Sequence, residues 1–398
     1  MCTEIKKDRW IKEIAYWQDD PLIGAKIIQL TGHISMATNI YCEDPACSKN
    51  NRIAVFRSNR CDHFATGELW VIDINTMQSI LVDTDTIWFG CFPQAYGDFF
   101  FYPKFCGDKW EIRKLCFSTL EIEVVLKFQG NVFPYIALGS ASSDARFLAN
   151  LREVTDGYCE VIVLDLETKK EKILVGGEEF CNPHPRFDRM KGKWVLVQHN
   201  RGYRKVNGMI KCIDCEQGVS LVLFEKDGSK RIELPVSRPF IPQGVSGHEA
   251  WIYNQPAFIF STSPLYDPYA DGNRCGNLLL YRIGEKKPVV VVNAPDVYFG
   301  HVSTSSCGKY WCCDVWDWKH EGKDVCFKPP KIAVGSIKTG KFAFVCEVNG
   351  YWPGYEMGHS HPYLSADNRQ VIFTSTRTGF PQVFSAILPE GFLENLDR

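Results

Sequence analysis

A strand–turn–strand unit recurs along almost the whole 398-residue chain, and it limits the fold more than any other feature. Aromatic and β-branched runs alternate with Gly, Asn, Asp and Pro, the pattern of short strands separated by turns. The clearest copies are RIAVFRSNRCDHFATGELWVIDINTMQSILV (52–82) and ARFLANLREVTDGYCEVIVLDLETKKEKILV (145–175), and KIAVGSIKTGKFAFV (331–345) repeats their later strands. Units start near Ile53, Phe99, Arg146, Trp194, Ala257, Lys309 and Gln370. Their spacing of roughly 45–60 residues is that of propeller blades. The expected fold is therefore all-β, a seven-bladed β-propeller forming a single domain over 1–398. A pair of β-sandwiches fits this repeat less well.

The last unit ends after PQVFSAIL, one strand short of a four-stranded blade, while AKIIQLT (25–31) is a spare strand before the first full unit. Pairing the two would close the ring and hide an open sheet edge. Helical spacing occurs only near the N-terminus, where Trp10, Ile11, Ile14 and Trp17 fall on one face. A short N-terminal helical segment is expected over 1–24.

A net charge of −2 and a pI near 6.5 leave no basic face for nucleic acid. No apolar run approaches the ~18 residues of a membrane helix, and the N-terminus has no signal-peptide core. The expectation is a cytoplasmic protein with no membrane and no nucleic-acid partner; nothing in the sequence specifies an oligomeric state. The 17 cysteines, many inside apolar runs (Cys159, Cys312, Cys313, Cys346), read as buried reduced thiols. CIDC (212–215) is a lone CxxC without the second pair of a zinc ribbon.

In a propeller, the turn before each innermost strand opens on the central channel, so residues far apart in sequence converge there. SGHEAW (246–251), FGHVSTS (299–305) and EMGHSHP (356–362) occupy comparable positions in successive units. His359 and His361 are two apart and share a face if extended. With His301 and Glu356 they form a mixed nitrogen and oxygen set suited to manganese or zinc rather than an all-oxygen calcium site. The same HxH can also be a hydrogen-bonded turn. His248, His184 and His199 can each be a satisfied turn histidine rather than a functional one. Other catalytic templates are missing: there is no G-x-S-x-G elbow, and VGGEEF (175–180) has no following helix to make a phosphate loop.

The chain resembles the oligogalacturonate lyases, cytoplasmic seven-bladed propellers that also resemble TolB. The likeness runs through GAKIIQLTGH (24–33) and NPHPRF…VLVQHNRG (182–202). It is strongest in GHEAW, GHVSTSSCGKYWCCD and EMGHSHPYLSADNRQVIFTSTRTGFPQVF. It implies Mn²⁺, with Zn²⁺ or Ca²⁺ as alternatives, on His301, His359, His361 and Glu356, the last standing where the family has glutamine. It implies His248 as the base that removes the proton α to a uronate carboxylate, an acidic oligosaccharide as substrate, and β-elimination to a 4,5-unsaturated product. Substrate contacts are expected from His184, His199, Arg201 and Arg204. The family's arginine falls on Gly208 or Met209 here, and Arg201 and Arg204 lie in the same loop. The reading from another class is a non-catalytic TolB-like propeller that binds a sugar or protein and keeps a structural metal.

Overall fold

The computed structural model describes residues 10–12, 14–58, 66–214, 216–241, 244–262, 277–294, 297–316, 318–321, 324–327, 330–349 and 358–398. Antiparallel four-stranded units follow one another along the chain. One consists of Ser140–Ala141, Phe147–Thr155, Tyr158–Asp165 and Lys170–Gly177, in that spatial order. The next consists of Arg186–Phe187, Trp194–His199, Ser220–Glu225 and Arg231–Glu233. Two more begin at the innermost strands Val245–Trp251 and Tyr298–Thr304. Upstream, two such units are joined into a longer sheet by the single pairing of Thr86 with Lys104.

Strands begin at Arg52, Phe99, Phe147, Trp194, Ala257, Tyr310 and Gln370, each within a residue of a position where the sequence repeat starts. Each is the second strand of its unit, and several are buried on both faces, as Ala257–Thr262 and Gln370–Ser375 are. That is why they read as near-continuous apolar runs rather than as an in–out alternation. Outer strands keep exposed positions, Val289 and Val290 among them.

The core lies between sheets. Ala149, Val161 and Val163 pack on Val195, Val197 and Val222 of the next unit. Leu196, Leu221 and Leu223 pack on Trp251, Phe258 and Phe260. Ala250, Ile259 and Leu278 pack on Phe299, Val302 and Trp311. At the chain ends, Tyr363, Ile372 and Val383 of the C-terminal sheet pack on Ala37, Ile53 and Val55 of the first.

The pairing expected of the spare strand is present: Lys26–Gln29 runs antiparallel to the last strand, with Ile27 opposite Ala386. The expected N-terminal helix is not. Ala15–Asp19 is a strand on the outer edge of Lys26–Gln29, and Ile11 bridges Ser79. Residues 1–9 lie outside the described part. An open sheet edge offers this segment a row of hydrogen bonds, and such tertiary pairing overrides a weak helical periodicity. A C-terminal helix, Phe392–Asp397, was not anticipated; Leu396 packs into the core beside Phe373 and Val334, and Asp397 accepts hydrogen bonds from Tyr310 Oη (2.6 Å) and Ser336 Oγ (2.7 Å).

Among the described residues no helix is long and apolar enough to cross a membrane. Cys159, Cys312, Cys313 and Cys346 are buried free thiols, as the sequence indicates. Cys212 of the CIDC stretch departs from that pattern and is disulfide-bonded.

Candidate functional site

Histidines from several units meet at one wall of a cleft of about 740 Å³. Two devices in the innermost strands aim them. His248 and His301 each sit where pairing with the second strand loses register, between Val245 and Glu249 and between Phe299 and Val302. Such bulges turn a side chain out of the regular alternation. Gly247 makes the first one possible: its φ of +97° is open to glycine and strained for other residues. His184 and His361 are instead presented by left-handed turns, with φ of +41° and +40°, each directly before a proline.

His301, His359 and His361 bring one ring nitrogen each to within 4.8 Å of one another. His301 Nδ1 lies 2.8 Å from Asp314 Oδ2, its backbone N–H donates to Asp314 Oδ1 (2.6 Å), and Ser360 Oγ donates to the same carboxylate (2.6 Å). Burial alone would raise the Asp314 carboxyl, but His301 and these hydrogen bonds outweigh it and hold it at about 2. As a carboxylate it accepts the Nδ1 proton of His301, which leaves the lone pair on Nε2. His361 is pushed well below the usual imidazole range by burial and by its neighbours His301 and His359. Its Nδ1 is buried and has no hydrogen-bond partner. Three clustered imidazoles, one locked by a carboxylate and one with an orphaned buried ring nitrogen, fit a borderline divalent cation. Glu356 lies outside the described residues.

His248 packs beside this trio, its ring centroid 4.5 Å from that of His301 and tilted 58° to it. Its Nδ1 faces the Tyr41 hydroxyl at 3.2 Å and Glu43 Oε1 at 3.6 Å. Burial and the His301 ring lower it to about 4 although Glu43 opposes this, so it is neutral at pH 7. Tyr41 is the hub of the cluster, with its ring against His184, His301 and His361.

A second group flanks the first. Glu43 is fully buried, accepts from His184 Nδ1 (3.2 Å) and Arg186 Nε (2.9 Å), and is held well below the ordinary carboxylate range against the opposing effect of burial. Glu249, also fully buried, is driven well above that range by burial and by Glu43, and Gln198 Nε2 donates to it at 3.1 Å. Glu43, His184 and Glu249 have metal-like proximity, yet the Arg186 guanidinium already supplies a cation to Glu43. Together they are two buried carboxyls of opposite tendency, Glu43 held charged by His184 and Arg186 and Glu249 pushed toward its neutral form.

Of the residues expected on the substrate, only His184 is on the cleft wall. His199 stacks flat on Phe180, with centroids 4.8 Å apart. Arg201 is spent on Ser237 Oγ and the carbonyls of Gln217 and Arg238. Arg204 bonds the carbonyls of Arg201 and Tyr203 and faces Glu178. Of the two positions expected to stand where the resembled family has an arginine, Gly208 lines the cleft, and Met209 is exposed and not on the wall. Arg238 and the ion pair of Lys205 with Glu153 (2.6 Å) line the cleft, with Asn182, Asn200 and Tyr203. Sequence reasoning missed Tyr41, Glu43, Glu249 and Asp314. Asp314 alone had a signal, a single carboxylate inside the apolar strand YWCCDVW.

No protein-family model and no curated protein matches the chain. Solved structures do. An oligogalacturonate lyase in complex with manganese superposes with a TM-score of 0.70 at 17% identity, covering 97% of this chain and 99% of that one. An oligogalacturonate lyase from Vibrio parahaemolyticus gives 0.71 at 16% identity, covering 97% and 100%. The β-propeller domain of a trilobed protease from Pyrococcus furiosus gives 0.51 at 11% identity, covering 88% and 94%. Over nearly its whole length, then, the chain has the fold of the oligogalacturonate lyase structures.

Proposed function

We propose that the protein is a metal-dependent lyase that cleaves short uronate oligosaccharides by β-elimination, on a closed seven-bladed propeller. The observation that carries this is the neutral His248 ring held against the His301–His359–His361 trio on the wall of one cleft. Those three histidines, with Glu356 as a fourth donor, would hold the cation, and Mn²⁺ suits the donor set and is named for a similar structure. When bound, a divalent cation there supplies Lewis acidity toward a substrate carboxylate.

The remaining work falls to the chain. With the Glu43 carboxylate and Tyr41 on its Nδ1 side, His248 carries its ring proton there and offers the Nε2 lone pair to the cleft. It takes the proton from C5, α to the carboxylate. The electron pair forms the C4=C5 bond and the oxygen at C4 leaves. Because His248 is held neutral by burial and His301, it is fully available as a base at neutral pH. Arg238 gives the cleft a cationic group for further uronates, while the neighbouring Lys205 is paired with Glu153 at 2.6 Å. Incubating the manganese-loaded protein with di- and trigalacturonate tests this: the unsaturated product absorbs in the ultraviolet, and absence of that product across a panel of uronate oligosaccharides would refute the reading.

A further inference from the structure

The turn that presents His184 duplicates the turn that presents His361. Both are His-Pro dipeptides with nearly equal left-handed φ, +41° and +40°. Each leads straight into a two-residue innermost strand, Arg186–Phe187 and Tyr363–Leu364. In each, the carbonyl of the preceding residue is tied to the second strand: Pro183 O accepts from Gln198 N (2.6 Å) and Ser360 O from Thr374 N (2.9 Å). A left-handed histidine is strained and persists where the surroundings enforce it, typically at functional sites.

His184 is also oriented as a working histidine. Its Nδ1 donates to Glu43, as His301 Nδ1 donates to Asp314, while its side chain remains partly exposed on the cleft wall. Its ring lies 6.4 Å from that of His248, so the two can address neighbouring carbons of one sugar. Glu43 touches both, at 3.2 Å and 3.6 Å. Arg186 occupies the cation's place on Glu43, which leaves His184 free of a ligand's duty.

We propose that His184 is the general acid that protonates the departing C4 oxygen, with Glu43 as the counter-ion shared between acid and base. The inference rests on the β-elimination reading. In the balanced step the C5–H bond breaks and its proton goes to His248 Nε2. The C4=C5 bond forms, the C4–O bond breaks, and the oxygen takes the Nε2 proton of His184, which enters the step protonated on both ring nitrogens and keeps its Nδ1–H on Glu43. The proton gained by His248 and the one lost by His184 then equalise beside Glu43, with solvent completing the exchange.

His184→Asn and His184→Gly are suitable variants, because both residues tolerate the left-handed φ. They would be compared with wild type on digalacturonate and on a galacturonate carrying a nitrophenoxy group at C4, a leaving group that needs no proton. The expected result is a fall in kcat of about 10²–10⁴-fold on digalacturonate and little loss on the aryl substrate. Bound manganese should be unchanged, and added imidazole should partly restore His184→Gly. Equal losses on both substrates, a change in KM alone, or an unimpaired His184→Asn would overturn the acid role while leaving the lyase reading intact. A wild type that cleaves neither substrate would overturn both.

Discussion

His301 and Asp314 form a buried imidazole–carboxylate pair, Nδ1 to Oδ2 at 2.8 Å, with the same carboxylate also taking the His301 backbone N–H. One residue thus fixes both the ring and the bulge that carries it. Asp314→Asn keeps the shape and removes the charge. Manganese affinity should fall about 10–100-fold, the usual cost of losing such a partner, as read by isothermal titration. Unchanged affinity would mean that Asp314 serves folding alone.

Removing the trio should remove the metal. A His359→Ala, His361→Ala double variant is expected to retain no manganese by elemental analysis after gel filtration. Wild type saturated at 100 times its Kd should gain about 2.7 kcal/mol of stability over the metal-free form, and the variant none. Thermal melts with and without chelator read the difference.

Acid should weaken the metal-free protein through its buried neutral histidines. His248 falls from 6.5 to about 4 on folding, so between those values the unfolded chain binds more protons. Stability is therefore full above about pH 6.5 and is lost as pH falls toward 4. His248 alone accounts for about 3 kcal/mol of it, and His361 acts in the same direction. Urea midpoints for the metal-free protein should drop across that window, and His248→Gln should flatten part of the slope.

The strand Lys26–Gln29 ties the N-terminal part of the chain to the last sheet, and Ile27 is fully buried between Phe384 and Val334 neighbours. Ile27→Ala should cost about 2–5 kcal/mol, whereas truncating the exposed Val289 should change stability by less than about 0.5 kcal/mol. Denaturant unfolding of the two variants checks the contrast.

The strand repeat was legible because blades sandwiched between neighbours bury both faces, which writes long apolar runs such as AFIFST into the sequence. The pairing of Lys26–Gln29 followed from counting strands. Ala15–Asp19 was misread because its partner, Lys26–Gln29, offers it an edge only when held on the last sheet, whose strand lies more than 350 residues further along the chain, a context that local periodicity does not record. At the site, histidines at corresponding positions of consecutive units were readable. Tyr41 and Glu43 were not, since they come from the loop after Met36–Asn39 and meet His248 only in space. Arg201 and Arg204 were placed on the substrate by loop proximity, and the carbonyls of Gln217, Arg238 and Tyr203 claim them instead.

The most direct measurement is turnover of digalacturonate by manganese-loaded wild type beside His248→Ala, with metal content determined for both. The account predicts unsaturated product from wild type and at least a 100-fold lower rate from the variant at equal manganese, about the contribution of a general base. Equal rates from the two proteins, or no product from a wild type that holds its metal, would contradict it.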